Sequence, residues 1–172
     1  LLGGACSFNL PARPVCDSGS CTGTDMGPKA DLAPDPADPN VMGSYKVATA
    51  PITLAQQPTL QSGELFLPSD DAATLSSRAA KYPLVLLAPA QRLDPQQLSP
   101  YAQRLASHGI IVAVYRPVTE SDQISYRSAG LNLLSYLLNN MEPVVANHLD
   151  AAHVGLAGYD LGAEISVSMA AN

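Results

Sequence analysis

Apolar and polar positions fall into two regimes that meet near residue 82. From there on, short apolar runs alternate with amphipathic stretches. Leu84-Val85-Leu86-Leu87-Ala88 is an unbroken apolar run, the pattern of a strand buried on both faces. Residues 95–108 predict a helix: Pro95 stands near its start, Leu98, Tyr101, Ala102 and Leu105 form an apolar stripe, and Gly109 is the stop signal. Residues 110–115 predict a second buried strand. Residues 125–140 predict a second helix, with Leu131, Leu134, Tyr136, Leu137 and Leu138 apolar, closed by Asn139-Asn140 and Pro143. Residues 154–157 predict a third short strand and 163–171 a third helix. Strand and helix alternating three times through short connections predict an α/β domain with a mostly parallel sheet and right-handed crossovers.

Upstream the pattern is looser. Residues 44–54 and 60–67 read as strands; in the second, Leu65 and Leu67 fall on one face and Glu64 and Phe66 on the other. Pro51 demotes part of the first to an edge. Residues 70–81 read as polar loop. Residues 1–40 are rich in Cys, Gly, Asp and Pro and show neither helical nor strand period, so they read as a disordered tail and spacer ahead of a domain over 41–172.

Composition narrows the function. The 172 residues are 47% hydrophobic, enough for one domain with a core. A net charge of −6 and nine scattered basic residues argue against nucleic acid, which needs clustered Lys and Arg. No apolar stretch is long enough to span a membrane, no Cys/His spacing fits a metal, and no cofactor motif occurs.

The first residues, Leu1-Leu2-Gly3-Gly4-Ala5-Cys6, read as the tail of a secretory signal and are similar to a bacterial lipoprotein cleavage box, with the usual Leu displaced by one place. Lipid on Cys6 would be the one route to membrane attachment, and Cys16 and Cys21 would then remain as an even pair suited to a disulfide. Free thiols in a disordered tail are the alternative. The expected location is secreted, or a periplasmic or outer-membrane lipoprotein. The chain opens at Leu1 and ends inside a helix pattern, so a portion of a longer protein is expected.

The candidate chemistry lies at 158–162, Gly-Tyr-Asp-Leu-Gly, between the third strand and the third helix. Strand, Gly-x-nucleophile-x-Gly, helix is the pattern of a nucleophile elbow. Gly158 and Gly162 would allow a turn too sharp for Cβ atoms, with the central residue in a strained conformation. Ester hydrolases carry Ser at the centre; this chain carries Asp160.

The stretches LVLLAPAQ, RLASHGIIVAVY, SDQISYRSAGLNLLSYLL and HVGLAGYDLGAEISVSMAAN together resemble bacterial cutinase-like polyester hydrolases, in the dienelactone hydrolase and chlorophyllase-like branch of the α/β-hydrolases. The resemblance covers about three quarters of the chain and only the N-terminal part of that domain. It implies an α/β-hydrolase fold, incomplete at the C-terminus, with antiparallel N-terminal strands over 43–68. It further implies a small-molecule or polymeric ester substrate and no cofactor. Asp160 falls at the nucleophile position. The backbone amides of Gln91 and Leu161 fall where the family binds the oxyanion, and Tyr159 falls where an aromatic residue lines the substrate cleft. Pro89-Ala90 stands where the polyester hydrolases have Pro-Gly.

Two departures follow. The family's catalytic acid and His come later in the chain than Asn172, and only Glu164 is titratable after Asp160. An Asp nucleophile is also poor on esters, because the anhydride it forms expels carboxylate faster than alkoxide. Such an Asp attacks saturated carbon bearing halide or epoxide, as in haloalkane dehalogenases and epoxide hydrolases, although those families typically follow it with Trp and this chain has none. Three readings stay open: lost or altered ester catalysis, an Asp-nucleophile hydrolase or a non-catalytic extracellular binding module; a one-residue difference from an active Ser enzyme would also give this sequence. His108, His148 and His153 are expected to be structural or solvated, and Asp122 and Arg127 to cap the second helix or pair with each other.

Overall fold

A computed structural model describes residues 41–171; Cys6, Cys16, Cys21 and the proposed 1–40 tail lie outside them. Five strands form a single sheet: β1 (Lys46–Pro51), β2 (Leu60–Ser69), β3 (Tyr82–Ala88), β4 (Ile111–Pro117) and β5 (Leu149–Gly158). Three helices complete the fold: α1 (Ser99–Ser107), α2 (Gln123–Leu138) and α3 (Leu161–Ala170). Sheet order is β1-β2-β4-β3-β5. β3 is parallel to both β4 and β5, while β2 runs antiparallel to β4 and to β1. The sheet is therefore mixed, with a parallel half that carries the three strand–helix units.

Side-chain alternation divides the interior into two cores. Leu84, Leu86, Ala113 and Tyr115 point to the face covered by α2 and α3, where they meet Leu133, Leu137, Ile165 and Met169. Leu87, Val112 and Val114 point to the opposite face and meet Leu98, Ala102 and Ala106 around α1. β2 departs from the amphipathic reading: Leu65 and Leu67 join the first core and Phe66 the second, all three buried. Its alternation sorts residues between two cores rather than between core and water, because helices cover both faces at that strand.

Local signals explain the helix ends. Asp122 caps α2, its carboxylate accepting from the amides of Ile124 and Ser125, both at 3.1 Å. Arg127 does not pair with Asp122; its Nε donates to the Ser168 carbonyl at 3.1 Å and ties α2 to α3. The 95–108 helix is shorter than its pattern: residues Pro95–Leu98 form a 3-10 turn capped by Asp94, and α1 starts at Ser99. Buried Glu142, after α2, accepts from the Thr53 amide at 2.9 Å and from the Tyr136 hydroxyl at 3.3 Å, fastening the β1–β2 connection beneath the helix.

Candidate active site at the strand–helix turn

In β3 and β5, Ala88 and Gly158 are register partners, so the loops that leave the carboxyl ends of these strands emerge side by side. α1 connects β3 to β4 on one face, and α2 connects β4 to β5 on the other. A crevice outside the strand ends at such a reversal is the place where open α/β sheets bind ligands.

The 158–162 turn is built by close backbone approach. The Tyr159 amide donates to the Ala88 carbonyl at 3.1 Å, extending the β3–β5 ladder by one bond beyond the strand. The Gly162 amide returns to the Tyr159 carbonyl at 3.0 Å, and the Ala163 amide to Asp160 at 2.9 Å. A Cβ on Gly158 would stand 2.3 Å from the Gly162 carbonyl carbon, and one on Gly162 would stand 2.1 Å from the Ala88 oxygen. Neither position admits a side chain. Ser166 Oγ reaches the carbonyl oxygens of Ala157 and Gly162, each at 2.8 Å, and binds the first turn of α3 back onto β5.

At the centre, Asp160 has φ 52° and ψ −121°, a conformation that L-residues avoid. An Asp ahead of a helix ordinarily caps it. Asp160 makes no such cap, and among the described residues its carboxylate has neither a hydrogen bond nor an ion pair. The backbone throws it outward and it is exposed.

Two amides lie in the loops at this end of the sheet. Leu161 opens α3, so its N–H has no helical acceptor. Gln91 lies in the loop after β3, and its N–H likewise has no acceptor among the described residues. Within this loop the positive φ falls on Arg92 (62°), and Ala90 is not strained. Sequence reasoning missed what secures the loop. The Tyr126 hydroxyl, on α2, donates to the Pro89 carbonyl at 2.6 Å. Glu120 accepts from the Arg92 amide at 2.6 Å and is itself paired with Arg116 Nε. The spacing of Arg116 and Glu120, four apart at the end of β4, was the only visible signal. Burial pushes the Tyr126 hydroxyl far above the ordinary tyrosine range, with Tyr115 adding to it, so it remains a proton donor.

Tyr159 belongs to the same turn. It is 62% exposed and turns to an apolar groove of about 460 Å³ on the α1 face, with Leu87, Leu98, Tyr101 and Leu105; neither Asp160 nor Gln91 lines that groove. His148 and His153 lie at the amino end of the parallel strands. His108 closes α1, with Nε2 3.0 Å from the Val41 carbonyl oxygen; the His148 carbonyl accepts from the Tyr82 amide; His153 Nδ1 is 2.7 Å from Asp150. The described residues place Gln91 after β3 and Asp160 and Leu161 after β5, at the carboxyl ends of neighbouring strands; His148 and His153 lie at the amino end, and His108 lines the groove on the α1 face with Gly158 and Tyr159. No protein-family profile matches the chain, and neither does any curated protein.

Proposed function

We propose that this chain carries the nucleophile half of an α/β-hydrolase site of the carboxylic-ester type, exported, with the nucleophile replaced by Asp160 and ester turnover lost. The observation that carries the reading is the backbone at Asp160: φ 52°, ψ −121° between two glycines that tolerate no Cβ, at the end of β5. Energetically such a turn is expensive, and strain of this kind persists where it aims a group. The β1-β2-β4-β3-β5 order, with helices on both faces, supports the same fold.

Chemistry decides against Asp160 as an acylating nucleophile. Its attack on an ester carbonyl would form a tetrahedral oxyanion, held by the Gln91 and Leu161 amides. Collapse then chooses between a carboxylate, the anion of a far stronger acid, and an alkoxide, the anion of a very weak one. Expelling the carboxylate regenerates substrate. Serine reverses that balance, since its own alkoxide competes on equal terms with the leaving group.

The uncommitted Asp160 carboxylate favours one second reading: attack on saturated carbon, where its oxygen forms an alkyl ester and halide departs with the bonding pair. Water must then cleave that ester.

The full-length polypeptide tests both. With Asp160 it is expected to leave p-nitrophenyl butyrate at the background rate, and Asp160→Ser is expected to release p-nitrophenolate above it. Halide release from a bromoalkane by the Asp160 form would establish the second reading. An inert Asp160→Ser protein, together with no halide released by the Asp160 form, would sink both and favour a binding module.

A further inference from the structure

We propose that Glu120 is a positioning residue for the oxyanion loop: it fixes the Gln91 amide by holding the amide of the next residue, Arg92, while Arg116 holds Glu120. This inference rests on the reading of Gln91 as an oxyanion donor. Glu120 belongs to the connection between β4 and α2, 28 residues further along the chain than Arg92, so the contact joins two loops at the same end of the sheet. Its two oxygens have separate tasks: Oε2 accepts from the Arg92 N–H at 2.6 Å, and Oε1 meets Arg116 Nε. The Glu120 side chain is only 13% exposed, although its bond to Arg92 lies on the exposed loop.

The loop needs such a hold. Arg92 has φ 62°, a left-handed conformation that a non-glycine residue enters at a cost, and a charged acceptor on its N–H offsets that cost. Three bonds then secure successive parts of the turn: Tyr126 on the Pro89 carbonyl, Leu93 N–H on the Ala90 carbonyl at 3.1 Å, and Glu120 on Arg92. None of them occupies the Gln91 N–H. The Gln91 amide is held in place through its neighbours and left free to donate, as a preorganised oxyanion donor must be.

Amide hydrogen exchange and the ¹H–¹⁵N spectrum of the full-length protein decide the matter. Glu120→Ala is expected to speed exchange at Arg92 by roughly ten-fold or more and to shift the Gln91 cross-peak, with the core strands still protected. Glu120→Gln keeps one acceptor oxygen for the Arg92 N–H but turns an amide NH2 toward Arg116 Nε, and is expected to restore both only in part. Should Glu120→Ala fail to fold, Glu120→Asp withdraws the acceptor by one methylene and is expected to give the same local loss. Unchanged Arg92 exchange and Gln91 shift in either folded variant overturns the proposal. In the Asp160→Ser background, Glu120→Ala is expected to lower kcat on p-nitrophenyl butyrate by on the order of ten-fold with little change in KM. If Asp160→Ser shows no turnover while the Arg92 and Gln91 signals respond as described, the ester-hydrolase reading fails and the positioning of the loop by Glu120 stands.

Discussion

A Cβ placed on Gly162 would lie 2.1 Å from the carbonyl oxygen of Ala88 and 2.6 Å from that of Pro89. The first turn of α3 therefore rests directly on the end of β3, backbone to backbone. Both obstructing atoms belong to main chain that is itself hydrogen-bonded, so they cannot swing aside as a flexible side chain would. Gly162→Ala is expected to destabilise the domain by about 3 kcal/mol or more, read as a lower urea midpoint. A loss within about 0.5 kcal/mol would contradict this packing.

Asp160 responds in the opposite sense. Its backbone strain costs on the order of 1–3 kcal/mol, whereas a glycine loses about 0.5–1 kcal/mol of chain entropy on folding. Strain is the larger quantity, so Asp160→Gly is expected to raise stability by about 1 kcal/mol. Thermal and urea unfolding of the two proteins side by side checks the sign. A less stable glycine variant would mean that the position is not strained.

Acid weakens the start of α2. Hydrogen bonds from the Ser125 hydroxyl, then from the Ile124 and Ser125 amides, hold the Asp122 carboxyl below the ordinary carboxylate range. Asp150 is lowered too, chiefly by its bond to His153. A carboxylate with a depressed folded-state pKa adds stability in full above its unfolded value, near 3.9, and loses it as pH falls through the folded value. The urea midpoint is thus expected to fall as pH is lowered below about 4. Asp122→Asn keeps the cap without the titration and is expected to flatten part of that fall. An identical pH profile for the asparagine variant would show that the cap does not contribute.

The two sheet edges differ. β1 begins with Lys46 and ends on Pro51, residues that discourage pairing with another chain. β5 pairs with β3 alone among the described strands, and Val154–Gly158 carries no charge and no proline. Apolar side chains flank it, with Tyr159 62% and Val167 71% exposed. The 172-residue chain is expected to self-associate as its concentration rises, and Val154→Lys is expected to reduce this in sedimentation velocity experiments. A concentration-independent monomer with Val154 in place would refute it.

Much of the parallel half was legible in the sequence for a simple reason. Leu84–Ala88, apart from partly buried Val85, and Ile111–Tyr115 are buried on both faces, so an unbroken apolar run identifies them without knowledge of their neighbours. The strand–helix turn was equally legible, because Gly158 and Gly162 answer to steric demands within five residues. The antiparallel part was harder. Phe66 and Leu67 look like opposite faces of a half-exposed strand, and only the placement of α1 against one face and α2 against the other shows both to be interior.

The amino-acid order by itself determined the succession of strands and helices, the tight turn at 158–162 and the absence of a hydroxyl at its centre, all of which depend on neighbours a few residues apart. Tertiary structure decided the rest: that Ala88 and Gly158 stand in register, that Glu120 reaches Arg92, that Glu142 serves Thr53, and that Tyr159 lines the groove on the α1 face. Those relationships join residues from 28 to 89 positions apart, or depend on which sheet face a helix covers. Local propensity carries no information about either, because such contacts exist only after the chain has closed its crossovers and the strand order is fixed.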